Sequence, residues 1–78
     1  MLSWTEAVTD AVRRVASSKP DGVFSRSELV AEEGDRMRAD TCTEGETPMQ
    51  TVSRELQQLR DAGVIEFVDN RGTYRLID

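Results

Sequence analysis

The chain has 78 residues, a net charge of −5 and a single cysteine, Cys42. That is enough for one compact domain, residues 1–78; it excludes an internal disulfide framework, and no apolar run approaches the roughly 20 residues of a membrane span. The opening MLSWTEAVTD has neither the basic stretch nor the apolar core of a signal peptide, so a soluble cytoplasmic protein is expected.

Ser3 or Thr5 is suited to cap a first helix, with Glu6 near its start, where a carboxylate complements the helix dipole. Trp4, Val8, Ala11, Val12 and Val15 recur at helical spacing, which predicts an amphipathic helix over about 4–18. Pro20 disfavours helix at Lys19, and Asp21-Gly22 invites a turn. Val23-Phe24 reads as a short extended piece. Ser25 followed by Glu28 is a capping box opening a second helix, with Phe24 and Leu29 spaced as a hydrophobic staple. Gly34 is expected to weaken or end that helix. Asp35 to Ala39 has room for one more turn around Met37, and Thr41 to Glu46 reads as a solvated loop.

Thr47-Pro48 is a helix start, a capping hydroxyl followed by proline at the first helical position. Met49, Val52, Leu56 and Leu59 form the stripe expected to face the core, and Gly63 ends the helix, predicted over 48–62. Ile65 and Phe67 alternate with Glu66, and Tyr74 and Leu76 with Arg75, giving two strands around the turn residues Asp69-Asn70-Arg71-Gly72. These elements predict an α+β winged helix-turn-helix. Three helices would pack on a small antiparallel sheet, a two-stranded C-terminal wing plus a short strand near Val23-Phe24.

The charge is unevenly spread. Through Glu46, ten acidic residues face six basic ones; from Thr47 onward five acids face four arginines, so the half carrying the third helix and the hairpin is close to neutral. Lys19 is the only lysine against nine arginines. That usage fits either a salt-adapted, halophile cytoplasm or a GC-rich genome. With its stripe inward, at about 100° per residue, the third helix turns Gln50, Arg54, Gln57, Gln58 and Asp61 outward. Gln and Arg match adenine and guanine edges in the major groove, and Gln50 and Thr51 sit in the first turn, which usually meets bases. Thr47, Thr51 and Ser53 are suited to phosphates beside the helix N-terminus. Arg71, with Asn70 at the tip of the wing, is placed to enter a minor groove. Arg75 is in reach of either a phosphate or Glu66 across the strands.

Catalysis is not expected. Without histidine the chain has no His-based triad or His-containing zinc cluster. Cys42 stands among Asp40, Glu44 and Glu46, which oppose a nucleophilic thiolate. Glu32, Glu33 and Asp35 diverge as neighbours on a helix, so neither metal nor cofactor is expected. The expected partner is double-stranded DNA, with the protein acting as a small transcriptional regulator or a restriction-related module. The alternative is a winged helix that contacts protein, an adaptor for a DNA-acting partner. Monomer and homodimer both stay open.

The string Thr47-Pro48, Thr51-Val52-Ser53-Arg54, Leu56-Gln57, Leu59-Arg60-Asp61, Gly63, Ile65-Glu66-Phe67 and Gly72-Thr73-Tyr74-Arg75-Leu76 resembles the winged-helix domain appended to Dam-replacing and some HNH-type restriction endonucleases. The resemblance covers about 30 of the 78 residues. It implies a DNA-binding appendage whose helix carries Gln50, Thr51 and Arg54 into the major groove, with Arg71 on the wing. The family's nuclease domain has no counterpart in these residues, and the connector before the third helix differs from the family's. Methylation-sensitive recognition is therefore not implied.

Overall fold

The computed structural model describes residues 1–45, 48–69 and 72–77. Its elements run α1 (Trp4–Ser17), β1 (Val23–Ser25), α2 (Arg26–Thr41), α3 (Met49–Asp61), β2 (Ile65–Phe67) and β3 (Thr73–Leu76). It is an α+β arrangement of three helices and a three-stranded antiparallel sheet of order β1-β3-β2.

Local chemistry accounts for the first half. Ser3 caps α1 by accepting from the Glu6 amide at 3.1 Å, while the Glu6 carboxylate accepts from the Ser3 amide, a reciprocal box. Ser25 and Glu28 repeat the motif at α2. Phe24 and Leu29, spaced as a staple across that cap, are both fully buried. α1 and α2 run antiparallel: the Leu2 amide donates to the Asp40 carbonyl, Arg14 reaches Glu33, and Lys19 reaches Glu28.

α2 departs from expectation. It does not stop at Gly34 but continues through the further turn expected at Asp35–Ala39 to Thr41, and the expected loop begins at Cys42 rather than Thr41. Val30, Gly34 and Met37 follow helical spacing, and Met37 is fully buried while Gly34 lies on the buried face. A glycine there costs helix propensity of about 1 kcal/mol. Burial of Met37, the Asp35–Arg38 ion pair and donation from Arg38 to the Gly45 carbonyl offset it. The helix ends where Cys42 takes a left-handed conformation, φ 56°, and the Thr43 amide turns back to the Arg38 carbonyl.

α3 packs its Val52, Glu55, Leu56 and Leu59 side inward. Two expectations at its start are corrected. Pro48 occupies the N-cap rather than the first helical position, where its ring offers no capping hydrogen bond. Met49 is 42% exposed, because it lies a turn before the first buried residue, Val52, and overhangs the core. At the other end Gly63 (φ 80°) closes a Schellman turn: the Gly63 amide donates to Arg60 and the Val64 amide to Leu59.

The central strand, β3, aligns Tyr74 with Phe24 on one side and Phe67 on the other. The three rings form one row, with centroids 5.6 and 5.2 Å apart. Phe24 and Tyr74 are buried, whereas Phe67 at the sheet edge is half covered, with Arg60 over its ring at 4.6 Å. α1 runs through the middle of the core, contributing Ala7, Val8, Ala11, Val12, Val15 and Ala16.

Candidate functional site

The amphipathic build of α3 decides what reaches solvent. Its apolar side is committed to α1 and the sheet, so Gln50, Arg54, Gln57 and Gln58 are exposed, with Thr51 and Ser53 half-buried. Gln50, Ser53, Arg54 and Gln57 come together around an open groove of about 530 Å³, whose remaining walls are Met49 and Arg26. No carboxylate among the described residues lines it. Glu55, the acid within this stretch of helix, is turned the other way and buried, accepting from the Thr5 hydroxyl of α1 at 2.8 Å.

Arg26 was not singled out by the sequence. It opens α2 beside its Ser25 cap, and its guanidinium Nη1 donates to the Ser53 Oγ at 2.9 Å. Its own amide donates to the Gly72 carbonyl, just before β3 in the β2–β3 connection, also at 2.9 Å. One residue thus touches α2, α3 and the hairpin. Its position after a cap was legible. Its proximity to Ser53, 27 positions away, depends on how the helices pack and leaves no local signal.

Most cations of this acidic chain are engaged. Among the described residues Arg14 pairs with Glu33, Lys19 with Glu28, Arg38 with Asp35, Arg60 with Asp61 and Arg75 with Glu66. Arg26, Arg36 and Arg54 have no ion pair among the described residues, and of these Arg26 and Arg54 border the groove. Two guanidinium groups from different helices, two primary amides and a hydroxyl can together donate to an anion and hydrogen-bond a base edge.

The other expected site residues are dispersed. Thr51 and Gln58 lie on α3 outside the groove lining. Arg75 takes the second of its two expected roles, pairing with Glu66 directly across the strands. Thr47, Asn70 and Arg71 lie outside the described residues. Of the expected phosphate ligands, Ser53 accepts a hydrogen bond from Arg26. No helix among the described residues is long and apolar enough to cross a membrane. Comparison with protein-family models, curated proteins and solved structures gave no significant match.

Proposed function

We propose that this chain is a winged-helix domain that binds duplex DNA without catalysing a reaction, in the cytoplasm, as a small regulator or a restriction-related module. α3 enters the major groove with Gln50, Thr51, Arg54, Gln57 and Gln58, and the β2–β3 hairpin serves as the wing; the sequence between β2 and β3 includes Arg71. The observation that carries this is the acid-free groove on α3, where Arg26 and Arg54 stand without carboxylate partners among the described residues in a chain of net charge −5. Elsewhere on the described surface Arg14, Lys19, Arg38, Arg60 and Arg75 pair with acids. The β1-β3-β2 order and the short hairpin following α3 support the architecture. A histidine-free sequence supports a non-enzymatic role.

The test is a fluorescence-anisotropy titration of random-sequence duplex at several salt concentrations. Binding that weakens linearly on a log–log salt plot is expected, because phosphate neutralisation releases counterions. No binding at the lowest salt would overturn the proposal. A second reading has its own observation: Phe67, Val68 and Ile77 are exposed on and beside the edge strand β2. A winged helix serving as adaptor to a DNA-acting protein would use that edge. It would leave duplex unbound and Arg54 dispensable.

A further inference from the structure

We propose that Arg26 is the phosphate-binding residue that anchors this surface, and that Ser53 acts as its positioning residue rather than as a phosphate ligand. The inference rests on the DNA-binding reading above and deepens it. Arg26 is fixed at both ends. Its backbone amide is tied to the Gly72 carbonyl of the hairpin, and its side chain is steered across the groove by the Ser53 hydroxyl. A guanidinium has five N–H donors in a planar fork, and the Ser53 bond uses one of them. The Cβ position of Arg26 also lies close to the hairpin, 3.9 Å from where a side chain on Gly72 would begin. Arg26 therefore presents a positive charge between the helix proposed to read bases and the proposed wing. A DNA backbone running from one to the other has to pass that point. Holding a long side chain in place before binding reduces the entropy lost on contact, which is the physical use of the Ser53 bond.

The experiment compares wild type, Arg26→Gln, Arg26→Lys, Ser53→Ala and the Arg26→Gln/Ser53→Ala double variant by anisotropy on random duplex across salt. Circular dichroism melts confirm that each is folded. Loss of one phosphate contact lowers the slope of log affinity against log salt by about 0.9. Arg26→Gln is expected to show that loss, and Arg26→Lys to retain the wild-type slope. Ser53→Ala is expected to weaken binding with the slope unchanged, and the double variant to match Arg26→Gln alone. A wild-type slope in Arg26→Gln, or a reduced slope in Ser53→Ala, overturns the assignment while leaving DNA binding intact. If wild type itself binds no duplex, the functional proposal fails and this assignment with it.

Discussion

Arg54 and Cys42 mark the two kinds of residue that the fold leaves under strain or without a partner. Arg54 is exposed on α3 and free of carboxylates among the described residues, so no described acid competes for its charge. Arg54→Gln is expected to weaken duplex binding several-fold at low salt while leaving the melting temperature within a degree or two, as surface changes usually do. Unchanged affinity by titration would remove α3 from the interface. Cys42 is the non-glycine residue with positive φ among those described. The left-handed conformation costs an L-residue about 1–2 kcal/mol, and glycine relieves it at some cost in unfolded-chain entropy. Cys42→Gly is therefore expected to stabilise by about 0.5 kcal/mol, read as a higher urea midpoint at constant slope. A lower midpoint would show that the thiol is held by favourable contacts. At this scale the caps were legible, because Ser3 with Glu6 and Ser25 with Glu28 act within one turn of chain. Arg26 with Ser53 was not, since the two meet only after the helices pack.

α2 is the element that sequence periodicity described least well. After Val30 its one large apolar residue is Met37, and a lone apolar side chain has no period to detect. In the fold that side chain is fully buried and holds the last two turns against the core. Met37→Ala is expected to cost about 2–5 kcal/mol, measured by chemical denaturation. A cost under about 1 kcal/mol would mean that the C-terminal turns of α2 contribute little to the folded state. The opening of α2 has a pH signature. The hydrogen bond from Lys19, with the Ser25 amide, holds the Glu28 carboxyl below its ordinary 4.5. A carboxylate with a lowered folded-state value contributes stability above the unfolded value, and loses it as pH falls through the folded value. Stability is thus expected to drop below about pH 4.5, and Glu28→Gln to flatten that part of the profile while keeping an acceptor for the Ser25 cap. An identical acid limb in the variant would locate the acid sensitivity elsewhere. α3 and its Gly63 stop were legible because a stripe and a glycine turn are both periodic or local signals. Met49 was misjudged because periodicity gives direction around a helix and says nothing of where the core ends along it.

Across the whole molecule, acidity and a candidate DNA surface coexist because the charges are segregated by pairing as well as by position. The first 46 residues carry most of the net charge, and Glu28, Glu33 and Asp35 meet their cations away from the α3 groove. Element order and the three-stranded sheet followed from alternation and turn chemistry. A short strand near Val23-Phe24 was expected in that sheet, but its pairing with β3 was not legible, since three residues carry too little pattern to name their neighbour. The groove required the tertiary fold, because its walls come from residues separated by the whole of α2. The central claim is that duplex DNA occupies this groove. Its most direct test is an amide and side-chain NMR titration of the labelled full chain with random duplex at low salt. Saturable shifts are expected at Arg26, Gln50, Ser53, Arg54 and Gln57, with the arginine Nε signals of Arg26 and Arg54 moving most and Arg14 and Arg38 unmoved. Shifts confined to Phe67, Val68 and Ile77, or no saturable shifts at all, would contradict it.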